Sequence, residues 1–599
     1  MQRPSPIASL YATAATGDSL SWRVVSILIL SAWIASCASL PENLGRTAST
    51  AFNRPDETAL GRLVQSRRVQ SGGRADSGFR LLDSEDSAFT SRLALIEGAQ
   101  RSLDLQYYAI HADVTTEILL QRLREAARRG VRVRVLLDDF NTVGEDAQVM
   151  LLAFEPNIQM RLFNPLPGSR ASLLGRLIGS LDDIQQVQKR MHNKLFIADN
   201  AMGIAGGRNL GDAYFGADAQ SNFVDLDVLA VGRIVRDMSA SFDRYWNDDL
   251  AYPVQTLLSQ DELEALRTRA KRQSVPADPA PPPAKPAPAG GALQAAPAPM
   301  PLTASSTILP GITMTAAMAG ARQPMALQRV PLTWAPAVLM VDKPGKIGPG
   351  DDEVEAGDTL VDGLLQLMEQ ARQEVLIVSP YFVPGAPMMK VFAQLRAKGT
   401  RIRVLTNSLA STDAPAAHAG YARYRKALLA MGVELYEMRA EQPGAFSGLG
   451  SARGGMGIGS GAGVGAGSSG AGRSGGGGLG SGPGGSKSGA SRASLHSKAV
   501  VIDSRLAIIG SMNLDLRSLL QNSEVALLIR SASLAREAIR LVEATFARGA
   551  YRLELSGDRL RWRAPAGAAF QDAGSEPEAG AGLKFLVRVL GPFAPDEML

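Results

Sequence analysis

Two short segments of this 599-residue chain carry the same residue types at the same spacing. Each begins with His-x-Lys, reaches an aspartate five residues after the lysine, and continues after six further residues into a Gly-small-x-Asn block. The shared residues are His192, Lys194, Asp199 and Asn209 in the first segment, and His496, Lys498, Asp503 and Asn513 in the second. Because the chain has only 4 histidines, this repeat indicates two related half-sites.

Two imidazoles, two ammonium groups and two amides suit the chemistry of a phosphodiester. Residues i and i+2 of a strand point to one face, so each His-Lys pair is predicted to face one pocket. The cations and amides would stabilise charge on the non-bridging oxygens, and no metal or cofactor is required. One imidazole would attack phosphorus, while the other would protonate the leaving alcohol and then deprotonate an incoming alcohol or water.

Other residues are predicted to support these groups. A carboxylate behind an imidazole fixes its tautomer and raises its basicity, and the matching candidates are Asp227 and Glu524. Gly207 and Ser511 are the small residues that would let a ligand approach the backbone closely. Asp199 and Asp503 are candidates for catalysis, with a structural role at a strand end as the favoured alternative.

Repeated β-α-β patterns are predicted to position the two segments. Strand-like and helix-like stretches alternate in each half, and a glycine follows each helix before the next strand. The predicted strand, helix and strand are 103–108, 116–129 and 131–137 in the first half, and 375–381, 388–397 and 402–406 in the second. The sequence therefore predicts an α/β fold with two domains, each a mixed β-sheet flanked by helices, that arose by internal duplication.

Composition divides the chain into six regions. The predicted regions are a lipoprotein-type signal peptide (1–36), a tether (37–75), a first domain (76–255), a Pro/Ala-rich linker (256–330), a second domain (331–556) and a carboxy-terminal tail (557–599). A Gly-rich stretch, 447–490, has almost nothing to bury and is predicted to be a disordered insertion in the second domain. Residues 583–590 are apolar with two cations, which fits either a membrane-lying segment or a final packed element.

The amino-terminal apolar run at 24–33 is too short to span a bilayer comfortably but fits the core of a signal peptide. It ends in Ile34-Ala35-Ser36-Cys37, which resembles a bacterial lipobox. Cys37 is the sole cysteine and is therefore the predicted lipidation site, with an ordinary signal anchor as the alternative. Alanine follows the cysteine, which favours the outer membrane by resemblance to lipoprotein sorting signals.

These motifs resemble the phospholipase D superfamily with its paired HKD motifs, and are most similar to bacterial cardiolipin synthases of the C type. The similarity covers most of residues 76–556. Further similar segments are 104–108, 136–139, 211–216, 242–247, 379–384, 406–409 and 513–518. The Gly-rich insertion departs from the family pattern.

The resemblance implies two phospholipase D-like domains related by a pseudo-twofold axis. It implies that His192 is the nucleophile and His496 the general acid and base, which the symmetric motifs alone leave open. Both lysines and both asparagines would bind phosphate. His418 would lie near the mouth of the site, where it contacts a lipid headgroup or has a packing role, and His111 is expected to be structural or at the pocket edge.

The expected function is a phosphatidyltransferase that makes cardiolipin from phosphatidylglycerol, with phosphatidylglycerol or phosphatidylethanolamine as donor. The alternatives are a hydrolytic phospholipase D, a nuclease of the same superfamily, and an inactive lipid-binding protein of the envelope. The formal net charge of +5 suits anionic partners without choosing among them. Expected partners are anionic and zwitterionic phospholipids and a membrane surface, not nucleic acid, and the need for a partner protein stays open. The expected location is the periplasm-facing side of a bacterial cell envelope.

Overall fold

The computed structural model describes residues 40–43, 45–167, 187–218, 220–274, 322–347, 359–441 and 492–590. The predicted signal peptide, Cys37, the Pro/Ala-rich stretch 275–300 and the Gly-rich insertion lie outside the described residues. Within the described part of the chain, no helix is long and apolar enough to cross a membrane.

The first half of the chain forms a nine-stranded mixed sheet. Three adjacent strands towards one edge, β2 (Ser102–Tyr107), β3 (Arg132–Asp138) and β4 (Ile158–Phe163), pair in parallel, and the other neighbours pair antiparallel. The spatial order is β10-β1-β8-β6-β5-β2-β3-β4-β9. The strands of this half, with β7 outside the sheet, are β1 (Ser77–Leu82), β2 (Ser102–Tyr107), β3 (Arg132–Asp138), β4 (Ile158–Phe163), β5 (Leu195–Ala198), β6 (Met202–Gly206), β7 (Ser221–Val224), β8 (Asp227–Gly232), β9 (Ala251–Pro253) and β10 (Thr333–Trp334).

The second half repeats this architecture in a second nine-stranded sheet. Its parallel set is β12, β13 and β14, and the spatial order is β11-β18-β17-β16-β12-β13-β14-β19-β20. Its strands, with β15 outside the sheet, are β11 (Ala337–Val341), β12 (Glu374–Val378), β13 (Arg401–Asn407), β14 (Glu434–Met438), β15 (Arg492–Leu495), β16 (Ala499–Ile502), β17 (Leu506–Gly510), β18 (Val525–Arg530), β19 (Ala550–Ser556) and β20 (Arg559–Arg563). The predicted duplication and the α/β class with mixed sheets are confirmed.

Helices flank both sheets. The predicted helices at 116–129 and 388–397 correspond to α3 and α8, with small shifts of their boundaries. The α-helices are α1 (Ala59–Ser71), α2 (Glu85–Gly98), α3 (Val114–Arg128), α4 (Arg233–Trp246), α5 (Val254–Leu257), α6 (Gln260–Ser274), α7 (Leu360–Glu369), α8 (Gly385–Ala397), α9 (Pro415–Ala430), α10 (Leu516–Leu520), α11 (Ala532–Arg548) and α12 (Ala581–Leu590). Short 3₁₀ helices cover Pro55–Glu57, Asp146–Phe154, Asp212–Tyr214 and Pro344–Lys346.

Several region boundaries differ from the prediction. The predicted tether contains α1, whose Leu60 and Val64 are buried against the first domain, so its second half is part of the folded body. The predicted linker begins inside α5 and contains α6. Strand β10 follows the linker yet pairs with β1 of the first sheet, and β20 of the predicted tail is the last strand of the second sheet. These segments belong to the folded domains because of contacts with residues far away in sequence, and local composition does not reveal such contacts.

The two halves are joined by backbone pairing close to both His-x-Lys segments. Strand β7 of the first half pairs in parallel with β15 of the second, forming a separate two-stranded sheet. An isolated bridge between Met191 and Ser523 mirrors this contact on the other side. Each histidine segment is therefore held partly by the opposite half.

Asp199 and Asp503 occupy equivalent tight turns, between β5 and β6 and between β16 and β17. Each has a positive φ, 53° and 51°, which aspartate tolerates better than most residues. The Asp199 carboxylate accepts hydrogen bonds from the backbone amides of residues 100–102, and Asp503 accepts the equivalent bonds from residues 372–374. Both carboxylates therefore fasten a turn to the strand beside it, which supports the structural role at a strand end that was the favoured alternative.

We expect Asp199→Ala to lower stability because three backbone amides, including the buried one of Ser102, lose their acceptor. The expected loss is about 1–3 kcal/mol, seen as a lower melting temperature in thermal denaturation. Turnover per folded molecule should stay close to that of the unmodified protein. Loss of turnover without a change in melting temperature would instead restore a direct chemical role.

Candidate active site

Each site histidine is paired with a carboxylate from the opposite half of the chain. His192 Nδ1 lies 3.0 Å from both carboxylate oxygens of Glu524, and His496 Nδ1 lies 2.6 Å from Oδ2 of Asp225. The backbone repeats the exchange: the His192 N–H donates to the Ser523 carbonyl at 2.9 Å, and the His496 N–H donates to the Val224 carbonyl at 2.8 Å. With Nδ1 directed at an acid, Nε2 is the ring nitrogen left for chemistry in both histidines.

The lysines follow the predicted pattern, although the His-x-Lys segments lie just ahead of β5 and β16 and not within them. Lys194 Nζ donates to the His192 carbonyl at 2.8 Å, and Lys498 Nζ donates to the His496 carbonyl at 2.6 Å. Both lysines are buried, with 2% of each residue exposed. Each ammonium group is thus held beside its own imidazole and away from bulk water.

The carboxylate behind His496 is Asp225, so the prediction of Asp227 was wrong. Asp227 opens β8 and forms buried ion pairs with Arg92 at 3.0 Å and Arg208 at 3.4 Å. Asp225 lies two residues earlier, directly after the residue whose carbonyl accepts the His496 N–H. Glu524 likewise follows Ser523, whose carbonyl accepts the His192 N–H. Asp225 and Glu524 are therefore the equivalent acids of the two half-sites.

The small residues ahead of the asparagines serve the two acids differently. A Cβ atom at Gly207 would lie 2.3 Å from Oδ1 of Asp225, so only glycine leaves room for this carboxylate. Ser511, its counterpart, instead donates its hydroxyl to Glu524 Oε2 at 2.5 Å, and Ser518 donates to Oε1 at 3.0 Å. Gly207 and Ser511, which were predicted to let a ligand approach the backbone, instead contact the two carboxylates.

The two asparagines are both buried but differ in their partners. Asn209 accepts from the Ala109 N–H at 3.2 Å and donates to the Tyr214 hydroxyl at 2.9 Å. The side-chain oxygen of Asn513 has no hydrogen-bond partner within the described ranges. Asn513 therefore retains more hydrogen-bonding capacity for a ligand than Asn209 does.

Burial and neighbouring charges shift the titration of the site. Burial, reinforced by Lys194 and Lys498, lowers the pKa of His192 well below its ordinary value. Burial and Lys498 lower the pKa of His496 to about 4, against the opposing effect of Asp225. Burial also lowers the pKa of Lys194 to about 7. Because Lys498 also lowers the pKa of His192, the two half-sites share one electrostatic environment, and this environment favours neutral imidazoles.

The two acids behave differently. Burial raises the pKa of Glu524 to about 7, although Lys194 opposes this shift. Burial would also raise the pKa of Asp225, but His496, Lys498 and Arg208 outweigh it and leave the pKa below the ordinary range. Asp225 therefore stays ionised behind His496, whereas Glu524 titrates near neutrality behind His192.

Aromatic rings that the sequence reasoning missed form the walls of the site. Tyr108 meets His192 edge to face at a centroid distance of 5.1 Å, and Tyr214 and Phe223 meet His496 at 5.3 and 5.0 Å. The sequence held a partial indication of Tyr108, because a tyrosine follows the first strand of each β-α-β unit: Tyr108 follows β2 and Tyr381 follows β12. His111 stacks on Tyr214 at 6.4 Å and pairs with Asp146, which confirms its expected position at the pocket edge.

His418 does not lie in the site, which corrects the expectation of a headgroup contact. It is 4% exposed, and its Nε2 lies 2.8 Å from the Arg425 guanidinium and 3.6 Å from Glu576. Arg425 also pairs with Glu437 at 2.8 Å. The cluster fastens the carboxy-terminal segment to α9 and β14, so His418 has the packing role that was the alternative.

The chain belongs to the family described as cardiolipin synthase, PLD-like domain, whose model matches residues 93–246, 364–447 and 485–548. It is 34% identical to cardiolipin synthase C of Escherichia coli (strain K12) over 491 residues, covering 80% of this chain and 87% of that protein. It is also 29% identical to an uncharacterised protein of Helicobacter pylori (strain ATCC 700392 / 26695) over 515 residues, covering 85% and 87% of the two chains.

A solved structure supports the fold at greater sequence distance. The phosphatidylserine synthase of Haemophilus influenzae Rd KW20 superposes with a TM-score of 0.51 at 12% identity, covering 89% of this chain and all of that one. At this identity the match shows the fold alone. Together with the family model, it confirms the phospholipase D-like repeat.

Asp225→Asn is expected to lower turnover by about two to four orders of magnitude, because an amide no longer holds the His496 tautomer or stabilises its protonated form. Asp227→Asn is the matched control two residues away. It should instead lower the melting temperature, since Arg92 and Arg208 lose a buried partner. Steady-state lipid turnover and thermal denaturation on both variants measure this difference. If Asp227→Asn lowered turnover and Asp225→Asn lowered only the melting temperature, Asp227 would be the acid that supports the site.

Glu576→Gln is expected to destabilise the chain at neutral pH. Burial alone would raise the pKa of Glu576, but Arg425 and His418 outweigh it and lower the pKa from 4.5 to about 2. A lowered folded-state pKa contributes stability above the unfolded pKa, and this contribution is lost as the pH falls from about 4.5 towards 2.

The loss at pH 7 should be roughly 2 kcal/mol and should shrink on acidification below pH 4.5. Thermal denaturation across pH measures it. Glu554→Gln, which breaks an exposed pair with Arg563, is the control and should have a smaller effect. An equal effect of the two substitutions would contradict the proposed anchoring role.

Proposed function

We propose that this protein is a phosphatidyltransferase that makes cardiolipin from phosphatidylglycerol through a covalent phosphohistidine. The observation that carries the proposal is the pair of buried His-Lys units, each completed by an acid from the opposite half. Similarity to cardiolipin synthase C over most of the chain supports the choice of phospholipid substrates. Phosphatidylglycerol or phosphatidylethanolamine would be the donor.

His192 is the proposed nucleophile. A neutral imidazole is required for attack on phosphorus, and the lowered pKa of His192 supplies one at neutral pH. Its Nδ1 is directed at Glu524, so Nε2 would form the bond to phosphorus while the bond from phosphorus to the leaving alcohol breaks. The lysine ammonium groups and Asn513 would stabilise the charge that develops on the non-bridging oxygens.

His496 is the proposed general acid and base. The ionised Asp225 carboxylate, 2.6 Å from Nδ1, stabilises an imidazolium at this position. A bound phosphodiester anion would raise the pKa of His496 from its low value of about 4, because it partly neutralises Lys498, and Nε2 would then be protonated when the substrate is bound. His496 would give its Nε2 proton to the leaving alcohol, then accept the proton of the incoming hydroxyl as that oxygen displaces His192.

The proposed setting is the cell envelope. The lipobox-like segment ending at Cys37 supports an exported lipoprotein whose substrates lie in the membrane that anchors it. Lipidation at Cys37 and an outer-membrane location are part of this proposal. A membrane anchor also favours a lipid acceptor, since it raises the local concentration of phosphatidylglycerol.

Reconstitution of the full-length protein tests the function. Vesicles of phosphatidylglycerol, with and without phosphatidylethanolamine, are incubated with the protein and the lipids are measured by mass spectrometry. We expect cardiolipin to accumulate, and His192→Ala to lower its rate at least about a thousandfold because the covalent step is lost. A rate that rises with phosphatidylethanolamine would identify it as a donor.

Other products would overturn the proposal. Phosphatidic acid without cardiolipin would indicate hydrolysis. Absence of turnover under all lipid compositions, with a melting temperature that shows folded protein, would favour an inactive lipid-binding protein. Cardiolipin formation that survives His192→Ala would exclude the assigned nucleophile.

A further inference from the structure

The carboxy-terminal helix α12 exposes an apolar face. Phe585, Leu586 and Val589 are 70%, 44% and 45% exposed, and they account for three of the large exposed hydrophobic side chains among the described residues. Positions i, i+1 and i+4 share one side of a helix. These three side chains therefore form one continuous strip, which we call the exposed face of α12.

Two cations lie beside this strip. Lys584 and Arg588 are one helical turn apart and next to Phe585 and Val589 in the chain. Neither forms an ion pair with any residue that the structure describes. An apolar strip bordered by unpaired cations is the arrangement of helices that lie in a membrane interface with anionic lipids.

The other side of α12 is packed on the protein. Leu583 and Val587 are half-buried, and the helix rests on α9. The segment ahead of the helix is anchored by Glu576, which binds Arg425, and by Glu578, which accepts the Ala440 N–H at 3.2 Å. The exposed face is therefore presented by a fixed element: the tail packs on the protein and leaves one apolar side uncovered.

The supporting helix α9 begins beside the active site. Asp413, two residues ahead of α9, accepts a hydrogen bond from the Tyr381 hydroxyl at 2.7 Å. The negative charge of Asp413 opposes the lowering of the His496 pKa by burial and Lys498, as expected for a carboxylate within electrostatic range of that imidazole. A membrane bound at α12 would therefore lie against the helix pair α9 and α12, and α9 begins beside the catalytic groups.

We propose that the exposed face of α12, with Lys584 and Arg588, binds the interface of a bilayer that contains anionic phospholipid and orients the second domain on it. The inference rests on the proposed function only in that the substrates are membrane lipids. The buried cluster of His418, Arg425 and Glu576 lies apart from the His-Lys units. It would hold the membrane-binding helix in place, because it fastens the segment ahead of α12 to α9.

Site-specific labelling of the full chain tests the proposal without measuring turnover. Phe585→Cys in a Cys37→Ser background carries one environment-sensitive nitrobenzoxadiazole label. Val69→Cys is the matched control, because Val69 is 71% exposed on α1. On vesicles of phosphatidylglycerol and phosphatidylcholine we expect a blue shift and an intensity gain of about threefold or more at 585, as an apolar face enters the interface, with little change at 69.

Charge and composition provide the second part of the test. Replacing Lys584 and Arg588 by glutamine, or raising salt to about 0.5 M, should reduce the signal at 585 severalfold because screening weakens attraction to anionic lipid. A signal that is equal on pure phosphatidylcholine, or equal at positions 585 and 69, would overturn the proposal. A signal that rises with protein concentration without vesicles would overturn it in favour of self-association. Because no step requires catalysis, an inactive but membrane-inserted protein would refute the proposed function and leave this inference standing.

Discussion

The crosswise pairing of imidazole and carboxylate is the interaction on which the rest of the structure depends. Each half of the chain supplies one histidine and provides the acid for the other, through Glu524 to His192 and Asp225 to His496. Both acids are fully buried, and a buried carboxylate without a partner is strongly destabilising. Neither half can therefore complete its own site, and the two sheets must meet for either imidazole to be oriented.

Symmetry of the fold does not produce symmetry of the chemistry. The acid behind His496 is a short aspartate packed against Gly207, and the acid behind His192 is a longer glutamate held by two serine hydroxyls. The surrounding cations keep Asp225 ionised, whereas burial raises the pKa of Glu524 to about 7. These differences support the proposed assignment of one imidazole as nucleophile and the other as general acid and base, although their sequence motifs are alike.

The sequence predicted the features that depend on local pattern. The repeated His-x-Lys segments, both β-α-β units and the small residues ahead of the asparagines followed from spacing and alternation. The acid behind His496 could not be identified from local pattern. Asp225 is placed there because the preceding residue, Val224, accepts a hydrogen bond from the His496 N–H, and the alternation of residues along β8 does not reveal this contact. His418 was misplaced for a similar reason: its partner Glu576 lies more than 150 residues away, and helix spacing does not reveal that contact.

Nuclear magnetic resonance of the imidazole protons can show directly whether each acid binds the histidine of the opposite half. With 4 histidines in the chain, assignment by substitution of single histidines is feasible. Two Nδ1–H signals should lie far downfield, one removed by His192→Gln and the other by His496→Gln. We expect Glu524→Gln to move the His192 signal alone and Asp225→Asn to move the His496 signal alone. If each acid instead perturbs the histidine of its own half, the crosswise site is contradicted.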